Sequence, residues 1–454
     1  MKIIVLNGSP KGKNSVTVQW NKYLDRHNPN HEFIYFNIGQ QIKSYEKPEV
    51  MDKCVDAMIN SDLIIFSYPV YTFIAPYQVA KFIRLLKEHK RVNELKDKYV
   101  TQITTSKHFF DTTAHRFIFE NCNDLQMKTI TGLSADMDDL LTDLGRKQLK
   151  DFYKNVLFDM KNDIYEDIQV VEKEEFNFIY KNDVTETPKT EGYSTVIVSD
   201  CEDDNDSLRN MIDAFKAKYK YPVKEINIAK FKFSGGCLGC FNCAFNGKCI
   251  YKDGFEDMLR NEIQSANVTI YAATVKDHSM GPTFKCYDDR QFCNGHRTVT
   301  KGRLVGYILN GDLRNENNLI DIIEGRSHVG ETFLCGIATN QSRNNIDTLK
   351  SLDNLCKSTE FALENKLERP QNFFGVGGMK IFRDLIYTMR GLMKEDHKFY
   401  KKNGIYDFPQ KQRGTIIKMQ LIGTLMSIPS IKKKASKQMN EAIIGPYKKA
   451  IEKE

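Results

Sequence analysis

Twice along this chain, short runs of Val, Ile and Phe alternate with longer stretches of helical periodicity, and this repetition limits the fold more than any other feature. The first series contains "KIIVLNGS", "EFIYFNI", "DLIIFSYPVY", "YVTQITTS" and "QMKTITGLSADM". Segments such as "TVQWNKYLDRH" and "PYQVAKFIRLLKEH" separate them, with apolar residues recurring at helical spacing. Strand and helix in this alternation predict a parallel sheet covered on both faces. Residues 164 to 192 break the pattern with charge and turn residues and read as an interdomain connection. From "STVIVSD" the alternation restarts, through "VKEINIAKF", "ANVTIYAATV", "GRLVGYILNG" and "ETFLCGIATN". The prediction is two copies of one α/β domain, residues 1–163 and 193–368, followed by a basic helical tail over 369–454.

Ligands of such sheets sit at the carboxyl ends of the strands, so the loops leaving them carry the functional information. The first loop, "NGSPKGKNSVT", offers glycines that let the backbone fold closely, short donors from Ser9, Asn14 and Ser15, and the positive charge of Lys11. With the helix start that follows, it reads as a phosphate cradle. It has neither the Gly-Lys-Ser/Thr ending of a nucleoside-triphosphate loop nor the spacing of a dinucleotide fingerprint. After the third strand, Tyr68 and Tyr71 beside Pro69 would suit the walls of a flat-ring pocket, with core or surface packing as the plainer reading of two tyrosines.

Together these stretches resemble the flavodoxin-like NAD(P)H-dependent FMN reductases, including the iron–sulfur flavoproteins. The resemblance rests on "LNGSPKGKNS", "SDLIIFSYPVYTFIAPYQVAKFIR" and the "TTS" at 104 to 106, and spans roughly residues 1 to 365. It implies two tandem flavodoxin-like domains, each a doubly wound parallel sheet. Carried over, Ser9, Lys11, Asn14, Ser15 and Val16 surround the FMN phosphate. Pro69, Val70, Tyr71 and Thr72, with Thr104, Thr105 and Ser106, surround the ribityl chain and ring. The implied activity is FMN-dependent oxidoreduction, from NAD(P)H or a reduced carrier to a small organic or quinone acceptor. The alternative is an electron-transfer module between protein carriers, with no small substrate of its own.

Four of the eleven cysteines fall in "CLGCFNCAFNGKC": Cys237, Cys240, Cys243 and Cys249. The apolar run at the N-terminus is too short for a signal peptide, so a cytoplasmic protein with reduced thiols is expected, and disulfides are disfavoured. Thiols at successive two-residue gaps suit an iron–sulfur cluster. Zinc sites usually carry two separated Cys-x2-Cys knuckles, and plain thiols are the third reading. The resemblance favours a [4Fe–4S] cluster, because the family's loop after the second strand has this spacing followed by residues like "DGFEDM". The other seven cysteines, among them Cys54, Cys122 and Cys335, read as small buried hydrophobes.

The two copies divide the motifs between them. Where the first should carry the cysteine loop it has "IGQQIKSYEKPEVMDKC", and where the second should carry the phosphate loop it has "SDCEDDNDS". Asp200, Glu202, Asp203, Asp204 and Asp206 would repel a phosphate. One copy is expected to bind flavin and the other to hold the thiols, as in a fused version of the family's symmetric pair. In "ATVKDHSMGPTFKCYDDRQF", His278, Met280 and Arg290 are candidates to face a substrate or nicotinamide at the join, with a solvated loop histidine as the plainer reading of His278.

From Met379 onward there are 17 Lys and Arg against 7 Asp and Glu, while the whole chain carries +7. The basic balance is therefore local to the tail. "GTIIKMQLIGTLMSIPSIKKKASKQ" is too polar to span a bilayer. Its readings are an interfacial segment on anionic lipid or a helical flap packed on the domains. No nucleic-acid-reading motif accompanies the charge. An oligomer is compatible with the sequence.

Overall fold

The computed structural model describes residues 1–168, 176–180, 187–203, 206–407, 413–431 and 447. The first series folds as β1 (Lys2–Asn7), α1 (Val16–His27), β2 (Glu32–Phe36), α2 (Pro48–Ile59), β3 (Leu63–Pro69), α3 (Tyr77–Lys87), β4 (Tyr99–Ser106), α4 (Asp111–Asp124), β5 (Lys128–Thr129), β6 (Leu133–Asp136) and α5 (Asp143–Lys161). The second gives β7 (Thr195–Ser199), α6 (Asp206–Lys218), β8 (Val223–Asn227), α7 (Asn242–Asn246), α8 (Phe255–Met258), β9 (Val268–Thr274), α9 (Gly281–Arg290), β10 (Leu304–Asn310), α10 (Asn317–Val329), β11 (Phe333–Thr339) and α11 (Asn345–Glu364). Beyond these come α12 (Phe373–Thr388), α13 (Lys394–Lys402) and α14 (Arg413–Met426).

The sheets run β2-β1-β3-β4-β5, with β6 also on β4, and β8-β7-β9-β10-β11. Every pairing is parallel, and the strand order is the same in both, so these are two flavodoxin-like domains. The unbroken apolar character of β1 follows from this burial. Ile4 and Leu6 enter one core, Ile3 and Val5 the core on the opposite face, and all four are fully buried. In β7, Ile197 is divided from Val196 and Val198 in the same way.

Two expected boundaries look different in three dimensions. The segment read as a connection contributes Phe178, fully buried in the second domain, and the Phe178 N–H donates to Ser207 Oγ at 3.1 Å. Residues beyond 368 begin with α12, which packs against α10 and sets Phe382 4.4 Å from Phe109. The compact units are accordingly Met1–Phe399, which holds both sheets, and Tyr400–Glu454. Among the described residues no helix is long and apolar enough to cross a membrane.

The domains grip each other through equivalent turns. After β3, Tyr71 and Ile74 exchange backbone hydrogen bonds of 2.9 and 3.2 Å, and after β9, Lys276 and Ser279 do the same at 2.9 and 3.0 Å. The central residues, Thr72 and Phe73 in one turn and Asp277 and His278 in the other, all have left-handed backbone with φ from 41° to 75°. Such residues cost about 1–2 kcal/mol each and persist only where surroundings hold them. Lys285 of α9 does so for the first turn, its ammonium donating to the carbonyls of Tyr71 (2.6 Å) and Thr72 (3.3 Å). Asn121 of α4 donates to the Asp277 carbonyl at 3.1 Å for the second. Each turn is thus held from the other domain.

His278 is not the solvated loop residue of the plainer reading. Its Nδ1 lies 2.9 Å from Glu316 Oε2 and its Nε2 3.2 Å from Asp124 Oδ2, with Glu120 beside it and Lys87 paired to Asp124. Burial disfavours its charge, but hydrogen bonds to Asp124 and Glu316 outweigh burial and raise its pKa to about 9. A raised folded pKa makes the stabilisation complete below the unfolded value near 6.5 and removes it as pH rises through about 9. Burial pushes Glu120 up to about 7, which weakens the fold over a lower window, between roughly pH 4.5 and 7. We expect urea midpoints to fall between pH 7 and 9.5 in the wild type, by up to roughly 3 kcal/mol in stability, and to stay nearly flat over that window in His278→Gln. Equal slopes in the two proteins would refute the assignment.

Candidate active site

The site forms where the strand order of the first sheet reverses, between the carboxyl ends of β1 and β3. The loop after β1 closes through Gly12 N–H to Ser9 carbonyl (3.0 Å) and Ser15 N–H to Gly12 carbonyl (3.0 Å). Gly12 has φ of 55°, and a Cβ there would sit 2.1 Å from Gln40 Oε1, so the tight path requires glycine. Ser15 caps α1 by accepting from the Thr17 N–H at 3.2 Å, which aims the positive end of the helix at the loop. Thr17 Oγ1 and Thr105 Oγ1, 2.5 Å apart, tie α1 to the end of β4.

The cysteine loop of the second domain lies directly on this surface. Gly239, with φ of 60°, has no room for a Cβ, which would meet Tyr71 Oη at 2.1 Å. Gln78 donates to the Cys237 carbonyl at 3.4 Å, Lys43 to the Ser234 carbonyl at 3.0 Å, and Lys11 Nζ stands 5.5 Å from the ring centre of Phe241. At the base of the loop, Arg290 is clamped bidentate by Asp253 (2.7 and 2.8 Å) and donates to the Gly235 carbonyl at 3.0 Å. Burial would raise the pKa of Asp253, but the Arg290 hydrogen bonds hold the carboxylate well below its ordinary range.

One cavity of about 260 Å³ joins these parts. Ser9, Lys11, Asn14, Ser15 and Val16 line it, as do Pro69, Val70, Tyr71, Thr72, Thr105 and Ser106, and so do Cys237, Cys240, Cys243 and Cys249. Thr104 does not. It faces the opposite side of β4 from Thr105, and its hydroxyl meets His115 Nε2 at 2.8 Å instead. Tyr68, read as a wall for the ring, is likewise off the cavity, fully buried in the first domain's core with its hydroxyl donating to Gln102 Oε1 at 2.6 Å. Arg290 reaches the cavity, whereas His278 is in its carboxylate cage and Met280 is buried in the second domain's core.

The cavity also has walls that sequence reasoning missed. Phe109, Phe292, Cys293, His296, Phe382 and Leu385 line it, drawn from the start of α4, the turn after α9, and α12. His296 lies tilted against Phe382, ring centres 4.7 Å apart, and is fixed by the fully buried Asp396, 3.1 Å from its Nδ1. These residues are far from the loop motifs in sequence, and only the aromatic content of "KHFFDTT" and "RQFCNGH" hinted at them.

The flavodoxin-like fold family matches residues 1–121. The first domain is flavodoxin-like. Over 191 residues the chain is 24% identical to an iron–sulfur flavoprotein of Archaeoglobus fulgidus, covering 40% of this chain and 85% of that one. Among solved structures it is similar to the NAD(P)H:acceptor oxidoreductase FerB of Paracoccus denitrificans (17% identity, 35% of this chain and 97% of that one, TM-score 0.29). It is also similar to an FMN-dependent NADH-azoreductase of Bacillus anthracis (14% identity, 36% and 100%, TM-score 0.26). By the fold-family match and the Archaeoglobus relative, the chain resembles the flavodoxin-like flavoproteins.

Among the described residues, the loop after β7 in the second flavodoxin-like domain is acidic where the first domain has its cradle. Burial raises the pKa of Asp200 to about 7, Glu202 pairs with Lys276 at 3.3 Å, and Asp203 pairs with Lys230 at 2.9 Å. Asp204 lies outside the described residues. The contact of Gly239 with Tyr71 is the seam between phosphate loop and cysteine loop. Gly239→Ala adds a left-handed alanine, costing about 1–2 kcal/mol, and drives the loop off Tyr71. The expected result is a lower urea midpoint and faster reaction of Cys240 with a thiol reagent; unchanged reactivity would show that the seam is not tight.

Proposed function

We propose that this protein is an FMN-dependent oxidoreductase that takes electrons from NAD(P)H or a reduced carrier and passes them, through a [4Fe–4S] cluster on the cysteine loop, to a small organic or quinone acceptor. The observation that carries this reading is the single cavity lined at once by the phosphate-type loop of one domain and the four cysteines of the other. Bound there, FMN supplies hydride chemistry and the cluster a one-electron outlet.

The donors present suit a phosphate ester joined to a planar ring. Ser9, Asn14 and Ser15, Lys11 and the start of α1 bind and orient the phosphate. Pro69, Val70 and Tyr71 wall the ring, and Phe109, Phe292 and Phe382 exclude water from it. The cysteines suit a cluster better than a zinc ion. A tetrahedral zinc with bonds of about 2.3 Å brings its sulfurs to about 3.8 Å from one another. Among the described residues the one trio of ligand atoms within 4.8 Å is Glu120, His278 and Glu316, with no cysteine in it. The Gly239 N–H donates to Cys237 Sγ at 3.4 Å, the kind of bond that tunes a cluster thiolate. Burial pushes the Cys243 thiol up to about 11, a cost that ligation to iron would remove. Cys240 is exposed at the loop tip beside the exposed Phe241, a feature that favours the carrier-to-carrier alternative as the second reading.

We expect one FMN per chain. Ser9→Asp and Asn14→Asp each set a carboxylate against the phosphate and weaken FMN binding by about tenfold or more, read by flavin fluorescence. Two flavins per chain, or full affinity in both variants, would overturn the site. Iron and sulfide analysis after anaerobic reconstitution, with electron paramagnetic resonance on the wild type and Cys240→Ser, tests the cluster. NAD(P)H oxidation with a small acceptor separates the two readings, because a pure carrier turns over little.

The unit Tyr400–Glu454 supports a peripheral membrane contact. In α14 and just beyond it, Ile417, Met419, Leu421, Leu425 and Ile428 are exposed, next to the lysines of "IKKKASK". An apolar helix flanked by lysines suits an anionic lipid surface. Leu421→Glu/Leu425→Glu in the full chain should lower binding to anionic vesicles about tenfold, leaving FMN affinity unchanged. Equal vesicle binding would dismiss the contact.

A further inference from the structure

A fifth cysteine belongs to the cavity. Cys293 is 2% exposed, lines the same space as Cys237, Cys240, Cys243 and Cys249, and its sulfur has no hydrogen-bond partner among the described residues. It sits in the short turn Gln291–Asn294 that follows α9, against which α7 of the cysteine loop packs. One side chain fastens the two segments together. Arg260 donates to the Gly247 carbonyl at 2.7 Å and to the Cys293 carbonyl at 3.1 Å, and pairs with Glu256 at 2.9 Å. Glu256 in turn accepts from the Cys249 N–H at 2.8 Å. Cys249 and Cys293 are therefore positioned by the same guanidinium–carboxylate pair, one from each side.

Cys293 packs in the apolar core of the second domain, as Cys54 and Cys122 do in the first, but it also faces a space that four other thiols share. Neither Cys54 nor Cys122 lines that space. We propose that Cys293 is a ligand-competent fifth thiol of the iron site, able to take the place of Cys249. This rests on the iron–sulfur reading above. The exchange forms one iron–sulfur bond and breaks another. The proton leaving Cys293 is matched by one taken up at Cys249, so the charge of the ligand set is unchanged and no oxidant or reductant is needed. Braced by Arg260, the site could keep its metal while the Cys249 strand is displaced.

The test is iron and sulfide per chain after anaerobic reconstitution of the full-length wild type, Cys249→Ser, Cys293→Ser, Cys249→Ser/Cys293→Ser and Cys240→Ser. Far-ultraviolet circular dichroism and FMN content verify that each is folded. Cys249→Ser and Cys293→Ser should each keep most of the wild-type iron, with Cys249→Ser showing an altered paramagnetic resonance spectrum. The double variant should lose iron at least about tenfold, like Cys240→Ser. Should Cys249→Ser alone lose its iron, or the double variant retain it, Cys293 is no ligand while the cluster reading stands. A wild type that takes up no iron overturns the cluster reading and this inference together. If Cys249→Ser is unfolded, Cys249→Ala is scored by the same criteria.

Discussion

The interaction on which the site depends is the buried pair Lys285 and Asp289, one turn apart on α9 and 2.5 Å from each other. Both are essentially inaccessible to solvent, at 3% and 0% exposure. Each spends its remaining hydrogen-bonding capacity on the other domain. Lys285 reaches the carbonyls of Tyr71 and Thr72, and Asp289 accepts from the Tyr77 N–H at 2.7 Å. A buried ion pair adds little stability in itself, because desolvation cancels most of the attraction, but removing one partner strands a charge at a cost of about 3–5 kcal/mol. Its value here is geometric. It fixes the left-handed turn after β3 against α9, and so sets how far Tyr71 stands from the cysteine loop.

The asymmetry of the molecule can be traced to this seam. The two domains share a strand order and a turn of the same shape, but the two turns meet different surroundings. In the first domain the turn presents Tyr71 to a glycine-bearing loop and a cavity. In the second the equivalent position is Lys276, whose charge is engaged by Glu202. The neighbouring His278 is engaged by Asp124 and Glu316. What is an aromatic pocket on one side is an ion-pair cluster on the other, in which Glu202 of the acidic loop holds Lys276 while Asp124 and Glu316 from other elements hold His278.

Much of this was legible in the sequence, for reasons that are local. The Val and Ile runs announced strands, and they formed at their expected places, except that "QMKTITGLSADM" divides into the two short strands β5 and β6. The glycine, serine and lysine of "GSPKGKNS" act through backbone paths and donors a few residues apart, so spacing was informative. The same holds for the cysteines of "CLGCFNC". Thr104 shows the limit of that reasoning, since a motif read as three adjacent residues ignores the alternation of a strand. His278 shows another: its environment comes from α4 and the loop before α10, which are distant in the chain, so composition around it could not reveal the cage.

The walls contributed by α12 and the turn after α9 were illegible for the same physical reason, and they change what the tail is. Residues 369–399 carry part of the chain's basic excess, yet Phe382 and Leu385 line the cavity and Asp396 orients His296. A charge count treats this stretch and the segment beyond Tyr400 alike, because charge is additive along a sequence. Packing is not. Gly378 approaches Phe109 so closely that a Cβ would lie 2.8 Å from its ring, and Gly375 approaches the His328 carbonyl to the same distance. These small residues let α12 seat against both domains, and its apolar face then has a partner that the later, exposed face of α14 lacks within its own unit. The division that matters for chemistry therefore falls near residue 399, where packing onto the sheets ends, and not at the last residue of the repeated α/β pattern.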